Sequence, residues 1–195
     1  MSVERADADL VRQAAEGDRD AFRELFERYQ RRVLSVVMGM LHDRDAALDV
    51  TQETFIKAYR SIDRFKGEAS FYTWIYRIAV NLAIDWQRRE WRRPMAAPTR
   101  SPSGDGPEED AIDRIGDETP GNDPFLATRD RQLRERVREA IEELTPDHKA
   151  VILLREVEGL SYDEISRAMQ CSIGTVMSRL HYARKKLQKR LKEFA

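Results

Sequence analysis

The residues with most to offer chemically fall in two stretches. Residues 71–93 set Phe71, Tyr72, Trp74, Tyr76, Trp86 and Trp91 among Arg77, Arg88, Arg89, Arg92 and Arg93. Aromatic rings beside guanidinium groups suit single-stranded nucleic acid, because base faces stack on rings while phosphates meet cations. The second stretch, 171–195, carries seven basic side chains and one acidic one. Hydroxyls, an imidazole and cations there can reach base edges and phosphates in a major groove. Bond-making chemistry is poorly served. His42, His148 and His181 are far apart in sequence, Cys171 has no paired motif, and there is no glycine-rich phosphate loop. We therefore expect no enzyme, no metal site and no cofactor.

Helices must position these groups, since apolar residues recur at helical spacing and no alternating strand pattern is present. The spacing predicts an all-α chain. A first helix spans 7–15, and Asp18 caps a second whose apolar face is Phe22, Leu25, Phe26, Tyr29, Val33, Val36, Val37 and Met40. A third runs over about 45–60. After an interruption at Gly67, Ser70 caps a fourth over 71 to about 91, which Pro94 stops. A further helix is expected over about 126–144. Thr145 and Pro146 start the next, which ends near Gly159. Ser161 and Glu164 form a capping box for a short helix over 162–169, and Ser172 caps a last helix running to about 191.

The short helix, the turn at Gln170-Cys171 and the longer basic helix have helix-turn-helix proportions. The last helix puts Val176, Leu180, Ala183 and Leu187 on one face, to pack on Ile165 and on Val151, Ile152 and Leu154. Its opposite face carries Ser178, His181, Tyr182, Lys185 and Lys189. Thr175 and Arg179 lie on one shoulder, Met177 and Arg184 on the other.

Residues 94–124 hold six of the seven prolines, four of the nine glycines and no aromatic residue. Such a stretch cannot offset its ordering entropy by burial, so it reads as a flexible linker between domains at 1–93 and 125–195. The net charge of −1 resolves accordingly. Residues 1–93 carry +1, 94–132 carry −5 and 133–195 carry +3, with +6 concentrated in 171–195. Neutrality overall thus hides an acidic linker and a basic C-terminal end. No apolar run reaches the roughly 18 residues of a membrane span, and the first residues show no secretory signal. A single cysteine fits a reducing cytoplasm.

Residue chemistry alone leaves several positions open. Trp74, Ile78 and Leu82 read as core. Tyr72, Tyr76 and Asn81 fit either packing or contact with DNA. Asp49, Gln52, Glu53 and Lys57, beside Leu48, Phe55 and Tyr59, read as ordinary solvated surface. Cys171 reads as a small packing residue. A dimeric helix-turn-helix regulator with a helical sensor domain is the second reading, although it leaves the arginine-aromatic helix and the acidic linker without a role.

Three strings narrow these choices: Asp49-Val50-Thr51-Gln52-Glu53-Thr54-Phe55, Phe71-Tyr72-Thr73-Trp74 with Arg77-Ile78-Ala79-Val80-Asn81, and Gly174-Thr175-Val176-Met177-Ser178-Arg179-Leu180. In order and spacing the chain resembles bacterial extracytoplasmic-function (ECF) sigma factors. The resemblance implies two all-helical domains, sigma regions 2 and 4, that bind the β and β′ subunits of core RNA polymerase and direct them to promoter DNA. Asp49, Gln52, Glu53 and Phe55 would grip the β′ clamp. Phe65, Lys66, Tyr72, Tyr76, Arg77, Asn81, Arg88 and Arg89 would open and hold the −10 element. Thr175, Ser178, Arg179, His181, Tyr182, Arg184 and Lys185 would read the −35 element. The linker would thread toward the polymerase cleft, and a cognate anti-sigma factor is expected as a further partner. Two positions depart from the pattern. Many relatives carry Arg or Lys where this chain has Met177, and Arg where it has Tyr182, so the −35 sequence does not carry over.

Overall fold

A computed structural model of the protein describes residues 5–67, 69–92, 133 and 135–192. The proline-rich segment, Glu68 and the first part of the helix expected over 126–144 lie outside the described residues. Among the described residues every regular element is a helix. The first domain comprises α1 (Asp7–Ala15), α2 (Arg19–Leu41), α3 (Arg44–Ser61), a 3-10 turn (Ile62–Arg64) and α4 (Phe71–Arg92). The second comprises α5 (135–142), α6 (Pro146–Glu156), α7 (Tyr162–Met169) and α8 (Ile173–Lys192).

Most helix starts follow from side-chain caps. Asp18 accepts from the backbone N–H groups of Asp20 at 2.9 Å and Ala21 at 3.1 Å. Asp43 accepts from Ala46 N–H at 2.8 Å and so starts α3 at Arg44. Ser70 and Ser172 each accept, at 3.1 Å, from the backbone three residues on. The Ser161–Glu164 capping box is complete. Thr145 differs from expectation. Its hydroxyl caps no backbone group and instead meets His148 Nδ1 at 2.8 Å, leaving Pro146 to set the helical entry. The helix after it stops at Glu156, short of Gly159, which turns the chain at φ +71.

The face of α8 formed by Val176, Leu180 and Ala183 is buried, with Leu187 partly so, in the core that holds Ile165, Val151, Ile152 and Leu154. In the first domain Trp74 and Leu82 are buried, whereas Ile78 is only partly so.

The two domains share one continuous apolar core, in which α2 and α4 meet α6 and α7. The approach of α2 to α6 depends on Gly39. A Cβ added there would lie 2.8 Å from Leu153 Cδ2, so in its present rotamer Leu153 seats against the α2 backbone in the space that the glycine leaves. Leu153 is almost fully buried, and such burial stabilises by about 1.5–3 kcal/mol. No described helix is long and apolar enough to cross a membrane, and no described group of three or more His, Cys, Asp or Glu side chains could hold a metal ion.

Candidate nucleic-acid interface

The short α7, the turn at Gln170 and the long α8 form a helix-turn-helix. Gln170 adopts the left-handed conformation (φ 50), which ends α7 and redirects the chain into α8. With the apolar side of α8 buried, Met177, Ser178, His181, Tyr182 and Lys185 face outward. Met177 and Tyr182 are more than half exposed, and large apolar groups exposed on a helix invite a partner. His181 and Tyr182 pack edge to face at 5.7 Å.

Four of the residues expected to read DNA make internal hydrogen bonds, among them Ser178, whose Oγ donates to the Thr175 carbonyl at 3.0 Å and keeps its lone pairs free to accept. Thr175 Oγ1 lies 2.9 Å from Ser172 Oγ within the cap. Arg179 donates to Asp147 Oδ2 at 3.1 Å and approaches Cys171 Sγ at 3.8 Å. Arg184 donates twice to Glu156 Oε1, at 2.7 and 3.1 Å. Each arginine is thus partly committed to a carboxylate of α6 and meets DNA through its remaining N–H groups or by exchanging that carboxylate for a phosphate or base edge. Cys171 is a half-buried free thiol in the turn.

On α3 the expected surface divides. Asp49 and Gln52 are exposed, and Glu53 pairs with Lys57 at 3.0 Å. Phe55 instead lies in the core, its ring edge-on to Phe26 at 4.9 Å. The period explains this, since Phe55 follows Thr51 and Thr54 on the buried side. The apolar groups that share the outer face with Asp49 and Gln52 are Leu48, Ile56 and Tyr59, each a little under half exposed.

The residues expected at the −10 element, on α4 and in the loop before it, divide as well. Lys66, Asn81, Arg88 and Arg89 are exposed, Arg77 is half-buried, and Phe65 packs edge-on to Trp74 at 5.2 Å. Tyr72 is partly buried and Tyr76 fully so, under the second domain. Glu158, in the turn after α6, reaches into the first domain. Its Oε2 accepts from Arg32 Nε at 3.0 Å and from Tyr72 Oη at 2.7 Å. Arg32 also donates to Tyr72 Oη at 2.6 Å, and its guanidinium lies 4.5 Å from the centre of that ring. Burial, reinforced by Glu158, pushes both phenols well above their usual range, so they remain protonated donors.

Neither Arg32 nor Glu158 stood out in the sequence. Each is one charge among many on a helix flank or turn, and only the docking of two domains distant in sequence brings them together.

The Sigma-70 region 2 family model matches residues 25–93, and the Sigma-70 region 4 model matches residues 134–187. The ECF RNA polymerase sigma-E factor of Escherichia coli K12 is 40% identical over 196 residues, covering 98% of this chain and 97% of its own. The chain belongs to the ECF sigma factor family. ECF sigma factors direct transcription initiation at promoters and have no catalytic chemistry of their own, and the helix-turn-helix falls within the residues that match the DNA-binding region 4 of such factors. Two solved structures share the fold. CnrH, in complex with the cytosolic domain of CnrY, is 24% identical with a TM-score of 0.70, covering 98% of this chain and all of its own. RpoE of Bartonella quintana, in complex with the anti-sigma factor NepR, is 22% identical with a TM-score of 0.62, covering 88% and 96%.

Proposed function

We propose that this sigma factor reads the −35 element as duplex through α8 and melts and holds the −10 element on α4. The observation that carries the first part is the outward face of Met177, Ser178, His181, Tyr182 and Lys185 on a basic recognition helix. Ser178, His181 and Lys185 supply hydrogen-bonding and charged groups, while Thr175, Arg179 and Arg184 join through groups that their internal partners leave free or by exchanging those partners. For the −10 element, Phe65, Lys66, Tyr72, Tyr76, Arg77, Asn81, Arg88 and Arg89 provide rings and cations. Tyr72 and Tyr76 take part only after the second domain leaves α4. Binding at both elements offsets the unpairing of bases, which costs a few kcal/mol per extruded base.

Residues 1–93 are proposed to bind core polymerase and open DNA, 125–195 to position the complex, and 94–124 to tether the two through the polymerase cleft. Asp49, Gln52 and Glu53 grip the β′ clamp, with Phe55 supporting them from beneath. An anti-sigma factor is the natural regulator, since the RpoE relative is bound to one. The whole assembly acts where RNA polymerase acts, in the cytoplasm.

Permanganate footprinting with bacterial core polymerase tests the reading. Changing Tyr72 and Tyr76 to Ala lowers thymine reactivity at −10 more than it lowers −35 occupancy. Unchanged reactivity overturns the −10 assignment.

A further inference from the structure

The side chain of Glu158 is only 4% exposed, whereas that of its partner Arg32 is 50% exposed. A carboxylate taken so far out of water needs compensating donors, and Arg32 Nε and Tyr72 Oη, both in the first domain, converge on its Oε2. Tyr76 Oη is buried with no hydrogen-bond partner, a spare donor on the ring that packs against Tyr72. The rings of Tyr72 and Tyr76 meet edge to face at 4.8 Å and wall the seat. All three groups belong to the first domain, Arg32 on α2 and the two tyrosines on α4.

We propose that Arg32, Tyr72 and Tyr76 form a seat for a backbone phosphate of single-stranded DNA, and that Glu158 fills it as an internal phosphate mimic while the domains are docked. The inference rests on the −10 reading above and adds to it a residue, Arg32, that this reading lacks. A carboxylate and a phosphodiester are both monoanions whose oxygens accept charge-assisted hydrogen bonds, and a guanidinium suits either. The flanking phenol rings give the adjoining base a stacking partner, which free phosphate or an acidic protein side chain would not use. Docking and DNA binding then compete for the same donors, and the chain screens its own −10 surface until polymerase holds the domains apart.

The test uses the full chain and end-labelled single-stranded DNA of random sequence, followed by fluorescence anisotropy across a salt series. Glu158→Gln keeps the shape and removes the charge. It tightens binding about tenfold, the worth of one charge-assisted hydrogen bond. Adding Arg32→Ala to that variant removes the gain and reduces the log–log salt slope by about 0.7, as expected for one phosphate contact on a single strand. Arg32→Lys retains the slope. A strand with neutral methylphosphonate linkages binds the Glu158→Gln variant more weakly, a readout that requires no further substitution. An unchanged salt slope on loss of Arg32, or indifference to methylphosphonates, overturns the seat. In either case permanganate reactivity of the wild-type protein with polymerase still reports on the −10 reading separately. Loss of that reactivity would mark the failure of the reading itself.

Discussion

Arg32 Nε and Glu158 Oε2 lie 3.0 Å apart across the junction of the two domains, although 126 residues separate them in the chain. The pair is lopsided. Removing Arg32 leaves a buried carboxylate with the Tyr72 hydroxyl but no cation, whereas removing Glu158 leaves an arginine that water and Tyr72 Oη already reach. The junction is therefore more sensitive to changes on its first-domain side.

Gly39 sets how closely the domains approach. In Gly39→Ala the new Cβ meets only the end of the Leu153 side chain, which can rotate. The helix also gains about 1 kcal/mol from losing a mid-helix glycine, so stability changes by no more than that. Gly39→Val adds two methyls beyond a Cβ that already lies 2.8 Å from Leu153 Cδ2. It separates the domains while each stays helical. Small-angle scattering will show a larger radius of gyration with unchanged circular dichroism, and an unchanged radius would deny Gly39 this role.

Acid loosens the same junction. His42 ends α2 in the left-handed conformation and faces Glu142, Lys149 and Arg138 of the second domain. Burial, then the charge of Lys149, lowers its pKa from 6.5, against the pull of Glu142. The released chain therefore binds a proton that the docked one does not. The contribution of His42 is complete above pH 6.5 and declines as pH falls below that value toward the lowered pKa. His148, also lowered chiefly by burial, meets Thr145 and lies near Arg179 and Tyr182, so its titration bears on the second domain itself and not on the junction. His42→Asn suits the left-handed backbone and flattens part of the pH dependence of domain separation, measured by energy transfer between dyes on the two domains.

Burial separates two neighbours on α3. Phe55→Ala empties a core site and costs about 3–5 kcal/mol of stability, seen as a lower Tm. Leu48→Ala removes an exposed side chain and leaves stability within about 0.5 kcal/mol. It nevertheless weakens binding to core polymerase by about 1 kcal/mol or more, measured by titration with labelled protein.

The start of α7 rests on its capping box. Glu164 accepts from Ser161 N–H at 2.8 Å and from Ser161 Oγ at 2.7 Å, and these bonds hold its carboxyl below the usual value of 4.5. Their contribution is present above pH 4.5 and is lost as pH falls through the lowered pKa. Ser161→Ala costs about 1 kcal/mol at neutral pH and removes most of this acid sensitivity, both readable in thermal melts.

Contacts on α8 separate by their dependence on sequence. His181→Ala weakens duplex binding by about 1–3 kcal/mol and relaxes selectivity at one base position. Lys185→Ala weakens binding to all sequences alike and lowers the salt slope by about 1. Competition binding on a −35 library with the polymerase holoenzyme distinguishes the two.

Local signals were legible where the local chain decides. Asp18, Ser70, Ser161 and Ser172 cap helices as their types and positions implied, and Val176, Leu180 and Ala183 pack as their spacing required. Phe55 was harder to place, because a motif string marks a helix without saying which of its residues point inward. Tyr72 and Tyr76 stayed open between packing and DNA contact because both answers apply. They are covered when the domains dock, and nothing in a linear pattern encodes a neighbour that arrives from residue 158. Arg179 and Arg184 had the chemistry of DNA contacts, and their pairing with Asp147 and Glu156 depends on how α8 lies against α6.

All three tryptophans lie on α4, and their exposure rises along the helix, from Trp74 at 9% to Trp91 at 88%. The second domain has none. Tryptophan emission, excited selectively over tyrosine, is thus a private channel for the first domain, with a buried fluorophore at one end of the helix and a wetted one at the other. Unfolding will shift the blue component, and a partner arriving at the end of α4 will quench the red one. The two events can be followed in one unlabelled sample while the second domain stays dark.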